Sequence, residues 1–338
     1  MSVRATRRNY AAAFKNKRGF DRETINKNHF SRLNPKFHDR KKQTFLEETV
    51  MNKNHIFILT IALTICLIVM TGCTSTSSAP AQPQVTLAHN YPTVSFNATP
   101  VKHVQVNGVS LGYREFGAGE PLLMLAGFGE TIDSWNQTFI GILATKYHVY
   151  TYDHRGMGYS SDSNGTHTIA LYADDAAAIM PALGYDSMHV YGVSMGSSIA
   201  QQLVIDHPER VRKLVLDSVS YSVRIPETTT LLGILESVVA PNSTYSEGVQ
   251  HEAQADLAWS GSWDKLPGIQ KDVMMVEGTA DVITPDGVAA NMTRQINGSW
   301  LVRFKGLPHI GSQKAPVEYG MNALDFLGMN ESAPYAAP

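Results

Sequence analysis

From His103 onward, short runs of apolar residues alternate with longer stretches in which apolar residues recur every three or four positions. This is the rhythm of strands exchanging with helices. Two alternating runs, His103 to Val106 and Val109 to Arg114, flank Asn107-Gly108 and predict a β-hairpin closed by a tight turn. Further strands are expected at Leu122 to Leu125, His148 to Tyr152, Met188 to Tyr191, Lys213 to Asp217, Val273 to Val276 and Trp300 to Phe304. The intervening helical patterns run over Asp133 to Ala144, Ala170 to Leu183, Met195 to Ile205, Asp286 to Ile296 and Ala315 to Leu327. Strands this short and this uninterruptedly apolar are covered on both faces, which predicts a mostly parallel sheet between helical layers. Residues 220–272 break the rhythm. They read as a cap inserted over the carboxyl ends of the strands, with two short helices around Leu231 to Val239 and Gln250 to Trp259.

One strand-to-helix junction carries chemistry. Gly192-Val193-Ser194-Met195-Gly196 follows the Met188 strand and opens the next helix. A turn this sharp needs glycines where neighbouring backbone approaches, holds the serine in strained geometry and aims its hydroxyl at a helix N-terminus. A serine hydroxyl is a weak nucleophile at neutral pH and needs a base, and the base needs an acid to orient it. In the chain order Ser, Asp, His, the candidates are Asp281, just after the Val273 strand, and His309, just after the last strand. Asp217 also ends a strand and competes as the acid, whereas His207, His189 and His154 read as structural. The loop Tyr152 to Ser160 is expected to shape the scaffold through Asp153 and Arg155, and Asp174-Asp175 reads as a solvated or capping pair. Oxyanion donors are expected from the backbone of Met195 and, in the turn Ala126-Gly127-Phe128-Gly129, of Phe128.

Histidine and carboxylate spacings show no metal-ligand pattern, cysteines do not cluster, and the glycine loops do not match phosphate-binding fingerprints. Neither a metal nor a cofactor is therefore expected.

Residues 101–330 resemble the α/β-hydrolase superfamily through G-F-G at Gly127, Y-D-H-R-G-M-G-Y-S at Tyr152, G-V-S-M-G-S at Gly192, H-P-E-R-V-R-K-L-V-L at His207, G-T-A-D-V-I-T-P at Gly278 and L-P-H at Leu307. The resemblance is to its serine hydrolase branch of carboxylesterases, enol-lactone hydrolases and cofactor-free haloperoxidase-like esterases. It implies an α/β-hydrolase fold with a mostly parallel eight-stranded sheet, helices on both faces and a small cap. Relatives usually carry His where Ala126 stands, so the support of the oxyanion turn is expected to differ. A serine at the elbow argues against the carboxylate-nucleophile chemistry of dehalogenases and epoxide hydrolases. The expected activity is cleavage of esters or lactones of small acyl substrates through an acyl-enzyme. A peptidase, a thioesterase or a non-catalytic envelope binding protein are the alternatives.

Charge gives the chain an address. Residues 1–50 carry 13 Lys and Arg against 5 Asp and Glu, whereas residues 74–338 carry 14 against 25, so the downstream part has no electrostatic reason to bind nucleic acid. Residues 51–72 combine a basic lead with the apolar run Ile56 to Met70, a signal-peptide pattern. Cys73 follows Met-Thr-Gly as in a lipobox and would be the lipidated N-terminus, the alternative being a retained signal anchor or plain secretion. Residues 1–50 are then either an over-extended start, with Met51 the initiator, or a disordered cytoplasmic arm. A Ser/Thr/Pro-rich tether over 73–100 would lead to the domain, and 331–338 form a tail. Seven of the ten asparagines beyond residue 73 lie in N-x-S/T, where chance gives about one or two. Those sequons are at Asn97, Asn136, Asn164, Asn242, Asn291, Asn297 and Asn330. Together these features predict an exported, membrane-anchored glycoprotein of an archaeal envelope. Its membrane partner would be the lipid or signal anchor; its oligomeric state is left open.

Overall fold

A computed structural model describes residues 90–329. Eight strands form one sheet: β1 (Lys102–Val106), β2 (Val109–Phe116), β3 (Glu120–Leu125), β4 (Tyr147–Tyr152), β5 (Met188–Val193), β6 (Val211–Asp217), β7 (Asp272–Gly278) and β8 (Trp300–Phe304). Their order is β1-β2-β4-β3-β5-β6-β7-β8. The β1–β2 and β2–β4 pairs are antiparallel and all others parallel. The chain moves outward from β3 to β4 and then returns past β3 to lay down β5. The carboxyl ends of β3 and β5 therefore flank the point where strand order reverses, the usual ligand crevice of such sheets.

Side chains alternate across each strand and feed two separate cores. Leu123, Leu125, Val190, Leu214 and Met275 pack under α2 (Ile169–Ala182), α3 (Met195–Asp206) and α6 (Asp286–Thr293). Leu122, Met124, Tyr191, Val215 and Met274 pack under α1 (Gln137–Leu143) and α7 (Pro316–Gly328), against Phe139 and Phe326. Each such fully buried aliphatic or aromatic side chain contributes about 1.5–3 kcal/mol.

Helix α1 is shorter than the apolar pattern predicts. Asn136 Oδ1 accepts from Thr138 N and Phe139 N and so sets the start, while Asp133 lies in the turn before it and pairs with Arg114. Packing also extends upstream of β1. Phe96 is buried with its ring 5.6 Å from Phe116, and Gly141 in α1 admits the Pro92 carbonyl, where a Cβ would stand only 2.3 Å from the oxygen.

The cap consists of α4 (Thr229–Val238) and α5 (Glu247–Ala258), joined by their own small core of Val223, Leu231, Leu235, Val238 and Ala253. Among the described residues no helix is long and apolar enough to cross a membrane. The segment expected to be a signal peptide, Cys73 and Asn330 lie outside the described residues.

Candidate active site

Ser194 sits between β5 and α3 with φ 53° and ψ −119°, a conformation that costs a non-glycine residue of order 1–3 kcal/mol. Both flanking glycines are required by contact. A Cβ on Gly192 would lie 2.3 Å from Gly196 O, and one on Gly196 would lie 2.2 Å from Leu125 O. The serine amide donates to Asp217 O at 2.9 Å, tying the turn to β6. At 9% exposure the serine is all but covered.

His309 Nε2 lies 2.9 Å from Ser194 Oγ, and its Nδ1 lies 2.7 Å from Asp281 Oδ2. The three residues that sequence order nominated therefore converge from the ends of β5, β7 and β8. Gly278 lets the β7 end press against the histidine loop, since a Cβ there would meet Leu307 O at 2.2 Å. Ile310 N donates to Ser218 Oγ at 2.9 Å and anchors the loop from the other side.

Burial pushes the Asp281 carboxyl up, but its hydrogen bond to His309, the charge of that ring and the backbone N–H groups of Thr284 and Ile283 outweigh burial and hold it below the ordinary range. Asp281 Oδ1 accepts from Ile283 N at 2.7 Å and Thr284 N at 2.9 Å, and Thr284 Oγ1 donates to Oδ2 at 3.0 Å. Thr284 also stands 3.2 Å from His309 Nδ1. Its signal in the sequence was the Asp-x-x-Thr spacing of a capped turn before Pro285.

Asp217 is not bonded to the histidine. Its carboxylate accepts from Tyr191 Oη and Ser218 Oγ, each at 2.9 Å, and burial raises it to about 6 despite those donors.

The turn after β3 is held by two carboxylates that sequence reasoning missed. Gly127 N donates to Glu130 Oε2 at 3.1 Å and Gly129 N to Glu252 Oε2 at 2.7 Å. Between them, the Phe128 N–H donates to no group among the described residues, and the Met195 N–H, first in α3, lies outside the helical ladder. Glu252 comes from cap helix α5 and is fully buried, with Oε1 2.9 Å from His154 Nδ1. Ala126, ahead of the turn, is buried, and Glu130 and Glu252 hold the turn. Burial raises the Glu130 carboxyl, partly offset by Gly127 N and His309.

The scaffold loop is as expected at Asp153, which accepts from Ile132 N and Tyr159 N, both at 2.7 Å. It is not as expected at Asp175. That residue is buried and bonded twice to Arg155, at 2.5 and 2.6 Å, because α2 turns it inward while Asp174 faces out to His207.

Of the aromatic residues near the site in sequence, Phe128 packs against the cap core together with Ile283, the neighbour of the Asp281 turn. Trp135 stacks on Phe139, Trp259 Nε1 donates to Gln202, and Trp263 lies against Tyr221. A surface hollow of about 650 Å³ bordered by Glu120, Tyr147, His189 and Lys213 opens at the amino ends of the strands, away from the triad. Strand-end chemistry, not hollow size, marks the site.

Among the described residues, one cluster bears on the metal expectation. Asp162, His167 and His251 bring three possible ligand atoms within 4.8 Å of one another. Sequence spacing hid them, because two come from the loop before α2 and one from the cap.

Five of the sequon asparagines, Asn97, Asn164, Asn242, Asn291 and Asn297, are exposed, while Asn136 is half-buried as the α1 cap.

A profile of the alpha/beta hydrolase fold matches residues 120–245. A Synechocystis protein named as a non-heme chloroperoxidase is 26% identical over 60% of this chain and 88% of its own length. A protein of Azorhizobium caulinodans named as a carbamate hydrolase is 38% identical, but over only 31% of this chain and 40% of its own length. The enol-lactonase of Burkholderia xenovorans superposes with a TM-score of 0.58 at 18% identity, covering 68% of this chain and all of that one. Profile match, strand order and structural likeness together show that this chain has the α/β-hydrolase fold.

Proposed function

We propose that the protein is a serine hydrolase that cleaves ester or lactone bonds of small, uncharged acyl substrates through an acyl-enzyme. The observation that carries this reading is the single imidazole linking Ser194 Oγ at 2.9 Å to Asp281 at 2.7 Å. His309 takes the Ser194 proton as Oγ attacks the carbonyl carbon, and the charged Asp281 stabilises the resulting imidazolium. The oxyanion forms against the N–H groups of Phe128 and Met195, which have no acceptor among the described residues. His309 then returns its proton to the leaving alcohol, and water repeats the cycle to release the acid.

Substrate character follows from the walls. Phe128 and Ile283 under the cap supply an apolar surface for the acyl group, and the carboxylates of Glu130 and Glu252 behind the oxyanion turn disfavour anionic substrates. The names of the compared proteins, with lactone and carbamate among their substrates, fit attack on an activated carbonyl. The address is part of the proposal: tethered outside the cell through Cys73, with the exposed sequons available to glycosylation.

A fluorophosphonate probe tests the reading directly. It is expected to label Ser194, and Ser194→Ala is expected to lose labelling and about 10⁴–10⁶ of the turnover of short p-nitrophenyl esters while keeping its circular dichroism spectrum. A folded wild-type protein that neither labels nor turns over would instead be the envelope binder. Metabolic lipid labelling of wild type and Cys73→Ser checks the tether.

A further inference from the structure

Away from the triad, two loops and the cap meet at a cluster that no catalytic step uses. Gly248 in α5 packs onto the Tyr152–Ser160 loop so closely that a Cβ would stand 2.1 Å from Gly156 O. Gly156 in turn leaves room for the Asp162 carboxylate, which a Cβ there would meet at 2.8 Å. These two glycines let His251, one helical turn beyond Gly248, come down over Asp162. His251 Nδ1 lies 3.3 Å from Asp162 Oδ2, and His167 Nε2 lies 3.0 Å from Asp162 Oδ1.

Those separations are short, yet neither ring nitrogen makes an aligned hydrogen bond. His167 is only 1% exposed, so its Nε2 is a buried polar atom that faces the Asp162 carboxylate without an aligned hydrogen bond. Its other nitrogen, Nδ1, is 3.0 Å from Tyr172 Oη. That contact fixes the ring and, with Nδ1 as the donor, directs the Nε2 lone pair into the cluster. The two imidazoles stand side by side with centroids 4.2 Å apart.

From these contacts we propose that Asp162, His167 and His251 form a divalent-cation site of the zinc class that staples the cap to the core. Two neutral imidazole nitrogens and one carboxylate are a donor set zinc favours. Ligands at about 2.0–2.2 Å around a tetrahedral ion lie roughly 3.3–3.6 Å apart, and the two Asp–His separations fall just short of or at the lower end of that range. Asp162 is a third exposed, which leaves an entry path and a fourth position for water. The staple has a direct line to the active site, because Glu252 follows His251 in the chain and holds Gly129 of the oxyanion turn. The competing arrangement is metal-free, with Asp162 as a counter-ion and the Ser163 backbone as acceptor for the His167 ring.

The experiment uses the untagged full chain, stripped with chelator and titrated with Zn²⁺ and, as a spectroscopic probe, Co²⁺. One equivalent of Zn²⁺ is expected to bind and to raise Tm, and Co²⁺ is expected to develop the intense visible bands of a four-coordinate site. His251→Gln and Asp162→Asn, both at partly exposed positions, should each lower Zn²⁺ affinity at least about tenfold and remove the Tm rise. Should His251→Gln misfold, Asp162→Asn decides alone. The proposal is overturned by an absence of stoichiometric binding to folded wild-type protein, or by binding that both variants retain undiminished.

Discussion

Two buried carboxyl groups, one at a strand end and one in the cap, have opposite fates. Asp281, at the end of β7, is supplied with donors from Ile283, Thr284 and His309 and is held charged, below its ordinary range. Asp256, on the underside of cap helix α5, has an oxygen without any partner, and burial together with nearby Glu252 raises it to about 7. Burial is comparable; the supply of hydrogen-bond donors is not. The sheet edge thus keeps a charge where the proposed catalysis needs one, whereas the cap tolerates an acid that ionises only at a cost.

The comparison can be broken most strongly at its catalytic end. Asp281→Asn should lower kcat about 10⁴-fold by removing the charge and the tautomer that His309 requires, whereas Asp217→Asn should leave kcat within about tenfold. Steady-state kinetics on one ester decides, and equal losses would mean the two acids share the role. An intermediate effect is expected where the regions touch. Glu252→Ala frees Gly129 N and leaves His154 unpaired, so kcat should fall about 10–10²-fold with little change in KM, and Glu252→Gln should recover part of it.

The smallest effect sharpens the cap side through pH. With a folded value of about 7 above an unfolded value near 3.8, native Asp256 binds more protons than the unfolded chain across that interval, so its contribution to stability falls as pH rises from about 4 to about 7. Asp256→Asn should therefore be nearly neutral at pH 4 and stabilising by on the order of a few kcal/mol at pH 8. Denaturant melts at the two pH values measure this; a gain independent of pH would show that Asp256 is not the titrating group.

How much could be read along the chain differs by region for the same reason. The elbow, Asp281 and His309 follow strands directly, and a parallel sheet delivers all its carboxyl ends to one edge, so order along the chain already implies meeting in space. The strands were likewise predictable, because a strand buried on both faces must be apolar throughout. Helix α1 was misplaced at its start, where the Asn136 cap overrode the apolar period. Asp175 was misread because its inward face is set by Arg155, from a different loop.

The sequence by itself thus determined the fold class, the serine on its strained turn and the two partners that strand order carries to it, since each depends on local backbone chemistry. Only the tertiary structure decided which carboxylates hold the turn after β3, which acid stays charged, and that Asp162, His167 and His251 converge. Those depend on how a helical cap packs onto the sheet. That packing is set by contacts as small as Gly248 against Gly156, and no spacing along the chain records it.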